Sequence, residues 1–478
     1  MNEVAGAHGY VTDASYAETF FRELSPAWLN YVAALHGAVP RPLDQPFRYL
    51  ELGCGFGGST VVNAGAFPQA EFHGCDINPA HVAAARRHAV ALGLDNVQFH
   101  ETTFDALAGQ DLPPFDIIAL HGVYSWVDQD ARQAVRRVIA ERLAPGGLVY
   151  VSYNCMPGWA AELPLRRLLV ELSATAAGTA EARARDARDR LERLAGAKLR
   201  YFTAHPAAGQ AIASYARQPV EYLAHEFLNA AWEPFYSIDV GDDMAAAGVT
   251  YVGSATLADN HPALVLEPGA AQAIAALPGG RAQQLALDYA VNRRFRRDVF
   301  VRDARRLDDA GARRQLDAVP IGSLGDPRAL TTTVRVPRGE LRLQDDFIAD
   351  LRKVLLGGAT SIGAVVAALS AGRRDTDQIR RNVTYLIAGG ALTPFAMPAP
   401  APETSGRLAA APILTRVLAL VTADRVARAV PSQVLGNGVT IEPSQADALT
   451  AWLSGTSSAP PGAAGTLPET LRRIGLLT

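Results

Sequence analysis

Between residues 47 and 153, short apolar runs alternate with longer segments whose apolar positions recur every three or four residues. The first pattern predicts strands, near 47–52, 70–76, 96–100, 115–121 and 147–153; the second predicts helices, near 58–66, 79–92 and 128–142. In the first run Phe47, Tyr49, Leu50 and Leu52 read as a buried strand. Asn78 and Pro79 stand where an N-cap and a first helical residue belong, and Pro145-Gly146-Gly147 is a tight turn into the fifth strand. Strands separated by helices imply a parallel sheet with right-handed crossovers. Ligands of such sheets bind at the carboxyl ends of the strands, so the loops after Leu52, Asp76, Phe99, His121 and Tyr153 should share one face. Upstream, Phe20, Leu24, Ala27, Tyr31 and Leu35 have helical spacing within an aromatic cluster that also holds Tyr10, Tyr16, Phe21 and Trp28.

Beyond the fifth strand the pattern changes. Residues 160–215 are rich in Ala, Arg and Leu, with Glu181/Arg185, Asp186/Arg190 and Asp189/Arg193 in favourable i,i+4 order. They predict a helical insertion, either a solvated element or a lid or dimer arm. Residues 235–253 then offer a last helix and strand, which extends the first domain over 1–265. His225 and Asn229 share a helix face that either caps a pocket or pins the helix. A middle domain, 266–395, opens on a basic run (Arg293, Arg294, Arg296, Arg297, Arg302, Arg305, Arg306) broken by Asp298 and Asp303. That run reads as an ion-paired surface in preference to a nucleic-acid patch. Helices at 345–356, 361–370 and 376–390 resemble a winged-helix module over 345–395 of the kind that binds protein. A Pro/Ala linker follows at 396–406, then a helical C-terminal domain at 407–478 with a Ser/Pro/Gly loop.

Composition narrows the class. The chain of 478 residues is 49% hydrophobic and 19% charged, enough for two to four domains with true cores. A net charge of −3 gives no bulk electrostatic case for nucleic acid or a membrane surface. Cys54, Cys75 and Cys155 show neither metal spacing nor a disulfide framework. The first residues lack a basic flank and a signal-length apolar core, and there is no run of 18 apolar residues, so the expectation is a reduced, cytoplasmic protein without a resident metal.

The chemistry begins at Tyr49–Thr60, YLELGCGFGGST. Gly53, Gly55 and Gly58 satisfy the dinucleotide fingerprint G-x-G-x-x-G, and Gly53, Gly55 and Gly57 satisfy E-x-G-x-G-x-G. Glu51 separates the two. A carboxylate there would repel a pyrophosphate and favour a ligand bearing an ammonium and a sulfonium, S-adenosylmethionine (SAM). Asp76, about 20 residues beyond the glycines, is placed to hold both ribose hydroxyls, with Ile77 against adenine. Thr102–Asp105 would face the adenine end. Tyr16 or Phe20 could close over the sulfonium through a cation–π contact. Two aromatic loops, His121–Trp126 and Tyr153–Trp159, should converge where the methyl group would sit, although His121 by itself also suits a satisfied core histidine.

The motifs YLELGCGFGGS, HGCDINPAH, FDIIALHGVYSWV and LAPGGLVYVSYNCMPGW make residues 1–165 resemble a class I SAM-dependent methyltransferase. The resemblance is to the subgroup with a methyltransferase regulatory domain, which includes rickettsial enzymes that methylate lysines of outer-membrane proteins; residues 222–240 resemble the start of that second region. It implies an α/β fold: a Rossmann-like methyltransferase sheet with mainly helical C-terminal accessory domains, one winged-helix-like. It further implies that Glu51, Gly53 and Gly55 surround the methionine part of SAM and Asp76 the ribose. Thr103 and Phe104 would contact adenine, at a place where many members carry an acid. His121 and Gly122 would lie beside the methionine moiety. Tyr124, Trp126, Tyr153 and Asn154 would line the acceptor side, with Trp159 and His225 as further acceptor candidates. The reaction expected is an in-line displacement that leaves S-adenosylhomocysteine. A lysine acceptor, the favoured one in a protein or peptide, must shed its proton from a pKa of about 10.4, helped by desolvation from Tyr124, Trp126 and Tyr153. His121 could serve as base for an oxygen or thiol instead. A small-metabolite acceptor and a non-catalytic SAM-binding scaffold are the alternatives, and a homodimer is compatible with the helical arm.

Overall fold

Four of the five residues of β1 (Arg48–Leu52) are buried, because neighbours cover both its faces; a strand in that position reads as a continuous apolar run. The computed structural model describes residues 19–197, 199–220, 223–224, 228–229, 231–303, 305, 307–357, 360–372, 374–398, 410–457 and 466–477. From β1 the chain passes through α2 (Gly58–Ala66), β2 (Glu71–Asp76), α3 (Pro79–Leu92), β3 (Val97–Glu101), α4 (Phe104–Ala108), β4 (Phe115–Leu120), α5 (Gln129–Arg142) and β5 (Leu143–Asn154); α1 (Pro26–Leu35) precedes it. The Asn78 side chain caps α3 by accepting from the Ala80 N–H.

The seven strands run in the order β3-β2-β1-β4-β5-β7-β6. The five from β3 to β5 are parallel. The chain leaves β1 toward β2 on one side and resumes on the other at β4, so the strand order reverses there and leaves a crevice at the carboxyl ends. Along β5, Leu148 and Tyr150 enter the core shared with α1, whereas Val149, Val151 and Tyr153 enter the core shared with α5 and with α10 (Ser237–Ala246). Helices α6 (Leu163–Ala174), α7 (Ala180–Gly196), α8 (Arg200–Ala204) and α9 (Pro206–Tyr215) form the insertion and pack their own core around Trp126, Trp159 and Trp232.

The sheet does not end near residue 265. After β6 (Val249–Ser254) the chain makes further helices and returns as β7 (Phe295–Arg302), which inserts antiparallel between β5 and β6. The basic run is therefore partly interior: Arg296 is buried, Arg293, Arg297 and Arg302 are half-buried, and Arg294 and Arg305 stay exposed. Arg296 is buried and bonds Asp288 at 2.7 Å and Asp298 at 3.0 Å, Arg293 meets Asp259 at 2.8 Å, and Arg302 donates to the carbonyls of Ile139, Ala140, Leu143 and Ala247. Paired charges explain how a strand rich in arginine can lie inside.

In the middle region a three-stranded sheet (Pro320–Gly322, Thr360–Ser361, Thr393–Pro394) carries helices Asp345–Leu356, Ile362–Ser370 and Thr376–Ala388, the winged-helix-like part. Its apolar residues join the core beneath α1. The C-terminal region contains a hairpin, Arg428–Ser432 with Asn437–Ile441, where only helices were expected. Val430 and Val439 face each other and Gly436 turns the chain at φ 64°. Met397, within the expected linker, donates its backbone N–H to Val434; residues 399–406 lie outside the described residues. The C-terminal region covers α2 and α3, with Leu414, Val417 and Val421 in one core with Val61, Val82 and Ala85. Among the described residues no helix is long and apolar enough to cross a membrane.

Candidate active site

The turn after β1 is built from left-handed glycines. Gly53, Gly55 and Gly57 have φ of 70°, 54° and 73°. A Cβ on Gly53 would come within 2.5 Å of Val123, whereas Gly55 has open space beside it, so its backbone can be approached closely. Asp76, at the end of β2, ties this turn to its own: Oδ2 accepts from the Gly55 N–H at 2.9 Å and Oδ1 from the Asn78 N–H at 2.8 Å. His81 Nδ1 lies 3.4 Å from Asp76 Oδ1. Glu51 is buried and accepts from the Thr60 hydroxyl. Burial, with a smaller push from Asp76 and against the Thr60 bond, raises its pKa to about 7.

These groups border a cavity of about 460 Å³ at the strand reversal. Of the expected residues, Glu51, Gly53, Gly55, Asp76, Ile77, Thr103, Phe104, His121 and Gly122 lie on its wall. The Thr103 hydroxyl also caps α4 by accepting from the Ala106 N–H at 3.2 Å. His121 Nδ1 is 2.8 Å from the Tyr150 hydroxyl. Burial first, then the charge of Arg297, pushes the His121 pKa down to about 3, so its imidazole is neutral across the physiological range and a weak base. Asp105, Asp130 and Arg137 stand on the wall as well, Arg137 paired with Asp105.

Five expected acceptor-side residues are elsewhere. Tyr153 points to the opposite face of β5 from Tyr150 and Ser152, because side chains alternate along a strand; its hydroxyl bonds Asp298 at 2.6 Å in the buried arginine network. Tyr124 is enclosed in the same core and bonds Asp243 at 2.5 Å. Asn154 is buried, with its backbone N–H on the Ser125 hydroxyl. Trp126 and Trp159 sit in the apolar core under the helical insertion, Trp159 edge-on to Trp232 at 4.9 Å. Tyr16 and His225 lie outside the described residues. Phe20 is not on the cavity wall; Phe21 is, with its ring 3.9 Å from that of His121. Thr19, Phe56 and His81 are further wall residues not anticipated. The aromatic cluster signalled Phe21, but one residue of register along the irregular segment before α1 decides which ring faces the site.

A cavity walled by Glu51, Asp76, Asp105 and Asp130 beside a glycine turn suits a cationic nucleoside ligand. Residues 50–149 match a methyltransferase domain family, and residues 219–302 a predicted methyltransferase regulatory domain. The uncharacterized protein sll1526 of Synechocystis is 34% identical over 361 residues, 74% of this chain and 70% of that one. The structure of PKMT2 from Rickettsia typhi in complex with AdoHcy superimposes with a TM-score of 0.70 at 16% identity, covering 97% of this chain and 100% of the other. A trans-aconitate 2-methyltransferase of Methylobacterium nodulans is 34% identical over 111 residues, 23% of this chain and 40% of its own length. The protein is a class I SAM-dependent methyltransferase. It belongs to the family of sll1526, and in this chain the methyltransferase domain is followed by the regulatory domain.

Proposed function

We propose that this methyltransferase acts on a protein or peptide, with a lysine amine as the favoured nucleophile. The observation that carries the reading is the extent of similarity. Resemblance to PKMT2 runs over 97% of the chain, accessory regions included, whereas the trans-aconitate enzyme matches 23% of it. The 176 residues beyond β7 (303–478) would be superfluous for a small acid and useful for gripping a macromolecule.

SAM would supply an electrophilic methyl on a sulfonium. Glu51 and Asp76 would hold it, Glu51 by charge and Asp76 through lone pairs left over from its two backbone bonds, with Ile77, Thr103 and Phe104 toward the base. Phe21 and neutral His121 would keep water from the reacting end without adding a competing cation. The acceptor amine must arrive deprotonated, and a dry wall lowers its pKa in the needed direction.

The second reading, a small carboxylic acid, is favoured by the trans-aconitate relative. The test is incubation of the full chain with methyl-labelled SAM and host lysate, divided into macromolecules and filtrate. Label on lysine in the macromolecular fraction, located by mass spectrometry, is the expected result. Label confined to the filtrate would overturn the reading.

A further inference from the structure

A second cavity, of about 310 Å³, opens between the segment before α1, the loop after β6 and the end of the winged-helix-like part. Its wall includes Arg22, Glu23, Trp28, Thr256, Arg297 and Gly390. It shares a partition with the SAM cavity. Phe21 stands on the SAM side, and the next two residues, Arg22 and Glu23, stand on the other. Across the partition Arg297 reaches the Tyr150 hydroxyl, which in turn meets His121 at 2.8 Å on the SAM side.

The two cavities differ in charge. Carboxylates dominate the first. The second carries Arg22, Arg297 and Arg335 against Glu23. Arginines of this protein are mostly paired: Arg293, Arg294 and Arg296, adjacent in sequence to Arg297, each have a carboxylate partner. Arg297 has none among the described residues; it donates Nη1 to the Thr256 hydroxyl at 3.2 Å, and its buried Nε has no acceptor. Arg22 lies over the Trp28 ring at 5.2 Å and likewise forms no ion pair among the described residues. Two cations on one wall with no ion-pair partner among the described residues, one of them with an unused buried donor, mark a place where an anion is expected from outside. Arg335 is already engaged, 3.8 Å from Glu340.

We propose that this groove receives an acidic stretch of the peptide acceptor, a carboxylate pairing with Arg297 and Arg22 while the neighbouring nucleophile passes Phe21 toward the methyl group. Glu23, on the same wall as the two arginines, leaves room for one cation beside the anion, as a lysine flanked by acids would present. The proposal rests on the protein-acceptor reading and adds its chemical selectivity.

The test uses the full chain saturated with S-adenosylhomocysteine and three probes: a fluorescent peptide with one lysine among glutamates, its counterpart with one lysine among arginines, and a small tricarboxylate. Arg297→Gln keeps hydrogen-bond donors toward Thr256, and Arg22→Gln changes an exposed residue; circular dichroism and SAM titration report whether each is folded. The expected result is binding of the acidic peptide, weakened about tenfold or more in each variant and by added salt, with the basic peptide binding poorly. Equal binding of both peptides, or affinities unmoved in both folded variants, would overturn the groove while leaving the protein-acceptor reading intact. Binding of the tricarboxylate alone, lost in Arg297→Gln, would overturn the peptide as occupant and the protein-acceptor reading with it. No binding of any probe would overturn the proposal.

Discussion

Glu51 is a carboxylate whose ionisation is costly until a cation arrives. Its pKa is raised from 4.5 to about 7, chiefly by burial. For a raised acid the sign is that its contribution to stability is whole below about pH 4.5 and is lost as pH rises through about 7. Ligand-free Glu51→Gln should therefore gain thermal stability over wild type at about pH 8 and not at about pH 4, and melting curves at both values check it. SAM binding should reverse the preference: wild-type affinity weakens as pH falls below about 7, and Glu51→Gln flattens that dependence. Titration calorimetry in buffers of different ionisation heat would show proton release on binding near neutrality; equal heats there would contradict the assignment. His121 gives the opposite case. An imidazole held near pKa 3 is a poor proton acceptor at neutral pH. His121→Asn should then cost less than the roughly 10²- to 10⁴-fold that removal of a general base costs, and should leave the pH–kcat profile unmoved.

Among the elements, the legible ones are those whose sequence and environment agree. The strands from β1 to β5 are apolar runs bounded by caps and glycine turns, and the expected boundaries differ from those observed by a few residues. The turn residues of the site were equally plain, because Gly53, Gly55 and Asp76 act through backbone geometry that the spacing encodes. Two kinds of feature were hidden. Tyr153 needed the parity of β5, since one residue along the strand exchanges the SAM face for the opposite core. β7 needed its partners, since Arg296 and Asp298 look like surface until Asp288, eight residues before Arg296 on a packed helix, and Tyr153 of β5 are seen beside them. Asp288 is wholly buried and accepts from Arg296, from the Ser237 hydroxyl at 2.6 Å and, at 3.6 Å, meets Arg293. Asp288→Ala leaves Arg296 with Asp298 as its one carboxylate among the described residues, beside Tyr251 and Gln284, and strips Ser237 of its acceptor. A loss of about 3–5 kcal/mol is expected, read from the urea midpoint; a change under about 0.5 kcal/mol would mean that water replaces the carboxylate.

Over the whole molecule, the SAM cavity is held by parts that never touch it. Its wall comes from the sheet ends and the segments around them, but α2 and α3, which carry Ser59 and His81 to that wall, rest on the C-terminal region. Gly65 of α2 lies so near Pro431 that a Cβ would come within 2.6 Å of the ring, Arg416 donates to the carbonyl of Leu92 at the end of α3, and Ser25, just before α1, donates to the carbonyl of Gly436. A chain ending at residue 409 would bare Val61, Val82, Ala85 and Leu92 together, an apolar face of the size that invites aggregation. Gly57 would keep Ala85 and Phe99 beside it, but those two would lose the C-terminal side chains packed behind them, and with these the support that fixes the turn. SAM affinity should consequently fall by about tenfold or more, the effect of only ~1.4 kcal/mol of misplacement, although no wall residue has been removed. Calorimetric titration of the soluble fraction measures it. A truncated chain that binds SAM as wild type does would show that α2 and α3 are positioned by the sheet alone, and that the C-terminal region serves the acceptor and not the cofactor.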